Sequence, residues 1–178
     1  MPETHTIAQF HQQYGPWLTA VKPLLEAGAF QQAFATYPFL HPTTVPWTPL
    51  PRPVAACTVA LITTGGLYLK ASQEPFDAAH IEGDMSYRVF ANQVQPQELG
   101  IAHTHYPHHF AERDLNTILP LEHLHAFAHE GIIGRFAPHV YSIAGYITHA
   151  AAFVETSAAH IAAQLRTEGV DAALLVPV

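Results

Sequence analysis

The sequence predicts an α/β protein, built on a parallel sheet with crossover helices, and three observations lead to this fold class. From Thr58 onward, short β-branched and apolar runs alternate with stretches of helical periodicity. The apolar runs lead into glycine or polar residues, as expected where strands end at a ligand-binding edge. The alternation of strand and helix indicates parallel strands joined by crossover helices.

The first 53 residues predict helices and a proline-rich segment that wrap the sheet. Helices are expected around Thr4–Tyr14, Trp17–Ala27 and Phe30–Tyr37. The proline-rich strap that follows, PFLHPTTVPWTPLPRPV, is expected to run extended across the surface, because proline removes hydrogen-bond donors and disfavours helix in the preceding residue. Trp47 is expected to pin this strap down.

The core, residues 58–178, predicts four strands and two crossover helices. The strand candidates are TVALITTGG, GIAHTHY, IIGRFA and VDAALLVPV. In PLEHLHAFAHEG, Leu121, Leu124 and Ala128 form one apolar helix face. The second helix, AAFVETSAAHIAAQLRTEG, leads to a strand at Ala172–Val176.

Length and composition limit the classes of function. A chain of 178 residues with 49% apolar side chains suits one α/β domain, residues 1–178, with a sizeable core. A net charge of -7 with only 7 lysines and arginines argues against nucleic-acid binding, since phosphates require clustered cations. Without a long apolar run or an export signal, we expect a cytoplasmic protein with no membrane association. The single cysteine, Cys57, excludes an internal disulfide.

Two stretches near the predicted strand ends carry chemically useful side chains. TTGGLYLK places two hydroxyls and two glycines after Ile62, which fits close approach to a ligand and fits a plain tight turn equally well. Arg88, in EGDMSYRVF, is the best candidate to anchor the carboxylate of a small acidic molecule. A structural ion pair between Asp84 and Arg88 is the competing interpretation.

Histidine is the most unusual feature of the composition, because ten of the 14 histidines lie between His103 and His160. In HTHYPHH, His103 and His105 point to the same side of an extended segment, so one divalent metal ion is able to take both. Asp114 or His139 would have to complete such a site. Otherwise the histidines are polar groups around a small ligand.

We therefore expect one histidine-rich rim that binds a small-molecule substrate. Its candidate residues come from the strand ends and the loops after them: Thr64, Gly65, Gly66, Asp84, Arg88, His103, Tyr106, Asp114 and His139. The two glycines, His103, Tyr106 and His139 are expected to surround one cavity.

Six motifs in a fixed order resemble the selenoprotein B subunits of the glycine, sarcosine, betaine and D-proline reductases. They are VPWTPL, VALITTGGLYLK, GDMSYRVF, HTHY, RDLNTILPLEHLHAFAHEGIIGRFAP and ETSAAHIAAQLRTEGVDAALLVPV. The resemblance implies reductive cleavage of a carbon–nitrogen bond in a small amino acid or methylated amine, with a selenolate as nucleophile and thiol or selenoprotein partner subunits. Pro107 departs from the family, which often has an acidic residue there, and this leaves the substrate open.

The last strand, VDAALLVPV, has the apolar composition of a buried parallel strand. In the family the matching strand is followed by the selenocysteine or cysteine of the redox site. The resemblance therefore implies a chain cut at a selenocysteine codon after Val178, with an incomplete sheet, inactive alone and oligomeric through its uncovered strand. A compact paralogue that binds a small ligand or metal at the histidine-rich rim is the alternative, and a nonfunctional fragment is the third interpretation.

Overall fold

The computed structural model describes residues 6–40 and 47–178, and its centre is a mixed four-stranded sheet. Six strands lie in these ranges: β1 (Thr58–Thr63), β2 (Leu67–Leu69), β3 (Tyr87–Ala91), β4 (Leu99–Ile101), β5 (Arg135–Ile143) and β6 (Ala172–Val176). The central sheet has the order β3-β5-β1-β6, in which β1 is parallel to β5 and β6 while β3 is antiparallel to β5. The α/β class with a mostly parallel sheet is confirmed.

The second sheet is a two-stranded antiparallel pair of β2 and β4. The expectation that GIAHTHY forms a strand of the parallel sheet is wrong. β4 ends at Ile101. Ala102 still donates its backbone N–H to the oxygen of Gly66 (2.9 Å), and the residues that follow belong to no strand. The histidines of HTHYPHH therefore lie in a loop.

The helices are α1 (Ile7–Glu26), α2 (Phe30–Phe34), α3 (His109–Arg113), α4 (Leu121–His129), α5 (Ala150–Phe153) and α6 (Ala159–Thr167). A π-helical segment, Val154–Ala158, joins α5 to α6. The apolar face predicted for α4 is confirmed: Leu121 and Leu124 are buried, and Ala128 packs against the core. Within the described ranges, no helix is long and apolar enough to span a membrane.

Helix α1 is continuous where two helices were expected. Pro16 and Pro23 both lie inside it. Tertiary packing outweighs the hydrogen bonds that the prolines remove, since one face of the helix is buried along its whole length. The buried residues of that face recur at helical spacing: Phe10, Tyr14, Trp17, Val21 and Leu25.

The N-terminal segment packs on the core through α1 and α2. The Tyr14 hydroxyl donates to Glu82 (2.7 Å), and the Tyr37 hydroxyl donates to the backbone oxygen of Thr148 (2.5 Å). The prediction that Trp47 pins the strap is wrong, because its side chain is 87% exposed. Residues 41–46 of the strap lie outside the described residues.

Strand β6 forms at the predicted position but is not buried. It pairs with β1 on one side, from Val59↔Ala172 to Thr63↔Val176, and it is the outermost strand of the sheet that the structure describes. Leu174 is 41% exposed and Leu175 is 66% exposed. Successive side chains of a strand face opposite sides, so both faces of β6 are open.

Candidate functional site

The turn that follows β1 approaches two neighbouring segments closely. Gly66 has a φ of 66°, and its backbone N–H donates to Ile143 (3.0 Å). A Cβ at this position would lie 2.7 Å from the backbone oxygen of Ala102 and 3.0 Å from the Cβ of His103. Because both the conformation and the space exclude a side chain, this position requires glycine.

His103 lies against this turn and is only 5% exposed. Its Nδ1 accepts a hydrogen bond from the backbone N–H of His105 (3.1 Å), so in the neutral ring the proton is on Nε2. His108 Nε2 donates to the backbone oxygen of His103 (2.6 Å), and the Tyr106 hydroxyl donates to that of Gly65 (3.0 Å). The imidazole is thereby fixed in position and tautomer.

Among the residues that the structure describes, His103 Nε2 has no hydrogen-bond partner, although the atom is buried. Burial, with smaller contributions from His105 and His108, lowers the pKa of His103 to about 4. Burial also raises the pKa of the Tyr106 phenol to about 12. At neutral pH this side of the site therefore presents a neutral N–H donor and a neutral phenol.

Asp84 and His103 line the same small cleft, together with Tyr146. The volume of the cleft is about 10 Å³, close to the space of a single water molecule. Burial acts to raise the pKa of Asp84, but hydrogen bonds from Ser86 and from the backbone of Asp77, together with the charge of Arg88, leave it below its usual value. The cleft thus combines a carboxylate with a neutral imidazole.

Arg88, in β3, is held by the segment that precedes this strand. Its guanidinium donates to the backbone oxygen of Glu74 (2.8 Å) and to the hydroxyl of Ser86 (2.8 Å), and it stacks 4.3 Å from the ring of Phe76. The Ser86 hydroxyl in turn donates to Asp84. The two charged residues are therefore linked through Ser86 and not by a direct ion pair, and Arg88 as a carboxylate anchor stays a prediction.

The carboxyl ends of three parallel strands meet beside the glycine turn. Thr64 donates its backbone N–H to Val176 (3.0 Å), at the end of β6, and its hydroxyl accepts from the N–H of Val178 (2.8 Å). Gly65 forms a bridge to Ala144, just beyond β5. The residues of the turn and the two that pack on it form what we call the glycine–histidine cluster: Thr64, Gly65, Gly66, His103 and Tyr106.

His139 is not part of this cluster, and the expectation that it shares one cavity with the glycines is wrong. The strand β5, predicted to end near Phe136, continues to Ile143, so His139 lies within it. Its Nδ1 donates to Glu168 (2.7 Å), which also accepts from the Tyr141 hydroxyl (2.9 Å). These residues line a separate groove against α6.

Asp114 is likewise placed away from the cluster. Its carboxylate caps a 3₁₀ turn, accepting from the backbone N–H of Asn116 (2.9 Å). It lines a larger cavity that none of the cluster residues line. A role for Asp114 in substrate binding stays a prediction, but it would concern this cavity and not the glycine–histidine cluster.

Within residues 6–40 and 47–178, no group of three or more His, Cys, Asp or Glu side chains is arranged to hold a metal ion. His103 Nδ1 already accepts from a backbone N–H, and the ring of His105 stacks on Tyr146 at 4.2 Å. The metal proposed for His103 and His105 therefore lacks a third ligand in this part of the chain.

Sequence analysis missed Tyr146, which lines the cleft and stacks on His105. Its hydroxyl donates to the backbone oxygen of Ile81 (3.0 Å), which fixes the ring. The available signal was the aromatic residue after Gly145. The residues after Phe136 were expected at the carboxyl end of the sheet, but β5 ends only at Ile143, which brings Tyr146 there.

Comparison with known proteins identifies a family. The profile described as glycine/sarcosine/betaine reductase selenoprotein B matches residues 9–178. The chain is 32% identical over 129 residues to the D-proline reductase subunit gamma of Acetoanaerobium sticklandii, covering 72% of this chain and 52% of that protein. It is 28% identical over 132 residues to the glycine reductase complex component B subunit gamma of Carboxydothermus hydrogenoformans, covering 74% of this chain and 30% of that protein.

The chain therefore spans about half of the first relative and less than a third of the second. No solved structure matches it.

Proposed function

This chain belongs to the glycine/sarcosine/betaine reductase selenoprotein B family, and from that membership we propose that it forms the substrate-holding part of a reductase subunit. The proposed reaction is the reductive cleavage of a carbon–nitrogen bond in a small amino acid or amine. A selenolate or thiolate that adjoins the carboxyl end of β6 would supply the nucleophile. The names of the two relatives, both reductase subunits, support assembly with partner subunits, and we propose that these partners carry a thiol or selenol.

One observation carries this proposal: the end of β6 is hydrogen-bonded into the glycine–histidine cluster. Val178 donates to the Thr64 hydroxyl at 2.8 Å, and Thr64 directly precedes the two glycines. A residue placed after Val178 would start within one peptide unit of Thr64. Ligands of such sheets bind beyond the carboxyl ends of the strands, so the nucleophile and substrate would meet there.

The cleft that Asp84 and His103 line suits a zwitterionic or cationic substrate. The Asp84 carboxylate is able to pair with an ammonium group, and the Nε2–H of His103 is able to donate to a carboxylate. Both line the same cleft. The cleft is too small for a substrate as it stands, so binding requires the loop of residues 103–108 to move outward.

The test is to read the codons after Val178 and to express the chain through the next codon as cysteine, continuing to the end of any homologous sequence. We expect thiol-dependent release of ammonia or amine from glycine, sarcosine or betaine, or thiol-dependent ring opening of D-proline, in which the nitrogen stays on the product. The matched control carries serine at the same position and should be inactive. A TAA or TAG codon with no homologous sequence downstream, or equal rates for the cysteine and serine proteins, would contradict the proposal.

A second candidate is a compact binding protein without redox chemistry. The unpartnered Nε2 of buried His103 favours it, because a bound ligand would supply the missing acceptor. Under this alternative, glycine, betaine or D-proline shifts the His103 ring resonances of the 178-residue chain, while the cysteine-extended protein cleaves the carbon–nitrogen bond of none of them.

A further inference from the structure

A sizeable cavity lies apart from the glycine–histidine cluster. Its volume is about 660 Å³, which is within the range of small-molecule sites. Its walls come from β2, the segment after β3, β4, α3 with the 3₁₀ turn that follows, and the start of α4. Its floor is apolar. The floor residues belong to the main core: Leu67, Leu99, Leu119 and Leu121.

The opening of this cavity carries negative charge. Glu112, Asp114 and Glu122 all line it, against a single cation, Arg113. No ion pair within the described ranges involves these three carboxylates. Asn116 donates to both Asp114 (3.1 Å) and Glu122 (3.2 Å), which holds these two carboxylates on the same side of the opening.

Asn92, another residue that lines this cavity, has a buried acceptor without a partner. Asn92 is 5% exposed, and its side-chain N–H donates to the backbone oxygen of Ala137 (2.8 Å), which fixes the orientation of the amide. Its Oδ1 has no hydrogen-bond partner in the part of the chain described. A buried amide oxygen without a partner is unfavourable, so a ligand N–H that reaches Oδ1 would stabilise the bound state.

We propose that this cavity binds a small organic cation: a primary ammonium group on an apolar body. The apolar body would cover the leucine floor, and the ammonium would lie between Asp114, Glu122 and Asn92. An ammonium group has three N–H donors and no acceptor, which matches an opening that offers carboxylates and an amide oxygen. This site is separate from the proposed reductase site and does not depend on it.

The probe is n-hexylammonium, titrated into the 178-residue protein and followed by ¹⁵N–¹H NMR. We expect saturable shifts of the side-chain amides of Asn92 and Asn116. The neutral analogue hexanol and the anion hexanoate should bind at least tenfold more weakly, because they lack the charge that the opening selects.

The key variant is Asp114→Asn combined with Glu122→Gln, which removes two charges while keeping oxygens that accept from Asn116. We expect about a tenfold rise in the Kd for hexylammonium. The matched control is Glu74→Gln with Glu130→Gln, which removes the same charge from exposed positions outside the cavity. This control should change the Kd less than twofold.

Three results would overturn the proposal: no saturable binding of hexylammonium, equal affinities for hexylammonium and hexanol, or equal weakening by the two double variants. Loss of the Asn92 and Asn116 shifts on raising the protein concentration would also overturn it. That result would mean that a second copy of the chain covers the cavity.

Discussion

The two ends of the central strand β1 are held by different chemistry. At its amino end, the Thr58 N–H donates to Asp171 (2.9 Å), which also pairs with Arg52 (3.3 Å). At its carboxyl end the bonds are neutral: the Thr63 hydroxyl donates to Ile118 (2.7 Å) and accepts from Gly65 (3.1 Å). One end relies on an ion pair whose arginine is exposed to solvent, and the other relies on buried neutral hydrogen bonds.

This difference predicts where substitutions lower the free energy of unfolding most. Exposed ion pairs are weakened by solvent and salt, so losing one costs little. Buried neutral groups cannot exchange a lost partner for water, so each loss is expensive. We therefore expect substitutions at the carboxyl end to cost more than matched substitutions at the amino end.

The largest expected effect separates two glycines with the same conformation. Gly66 has a φ of 66° and Gly169, near the amino end, a φ of 68°. Gly66→Ala should lower the free energy of unfolding by about 3 kcal/mol or more, because the new Cβ meets the backbone of Ala102. Gly169→Ala should cost only about 1–2 kcal/mol, since nothing lies within 4 Å of its Cβ.

Urea denaturation of both alanine variants measures this difference. Equal losses of unfolding free energy would mean that the turn at Gly66 relaxes without cost, and the contrast between the two ends of β1 would then fail.

The next effect is a pH dependence that arises at the carboxyl end. The pKa of His103 is lowered to about 4 in the folded chain, against about 6.5 when unfolded. Its contribution to stability is therefore fully present above about pH 6.5 and is lost as the pH falls toward 4, because the unfolded state then binds the extra proton. The loss should amount to about 3 kcal/mol at most.

The measurement compares the wild type with His103→Asn by urea denaturation between pH 7 and pH 4. Asparagine keeps an acceptor for the backbone N–H of His105 but does not titrate. The variant should therefore show a shallower pH dependence, and parallel curves for the two proteins would contradict the assignment.

The sequence predicted the parts of the fold that depend on local patterns. A β-branched run ending in two glycines identified β1 and its turn, and an apolar run after Gly169 identified β6. The spacing of Leu121, Leu124 and Ala128 identified α4 and its buried face. These features succeed because residues close in sequence determine them.

The errors concern features that depend on distant contacts. α1 continues through Pro16 because its buried face packs on the core, which its local sequence does not reveal. His139 was expected beside the glycines because the predicted strand ended near Phe136, yet β5 continues to Ile143 and includes His139. The burial of His103 likewise depends on its contact with Gly66, 37 positions earlier in the chain.

The smallest expected effects compare one polar contact from each end of β1. Tyr106→Phe removes the hydroxyl that donates to buried Gly65 and should lower the free energy of unfolding by about 1–2 kcal/mol. Arg52→Gln removes the ion pair with Asp171; because the arginine side chain is 54% exposed, the cost should be about 0.5 kcal/mol or less.

Raising NaCl from 0.05 M to roughly 0.5 M should reduce the Arg52 effect by screening and leave the Tyr106 effect unchanged. If Arg52→Gln costs more than Tyr106→Phe at both salt concentrations, the charged end of β1 is the more sensitive one, and the difference between exposed ion pairs and buried neutral contacts does not hold in this protein.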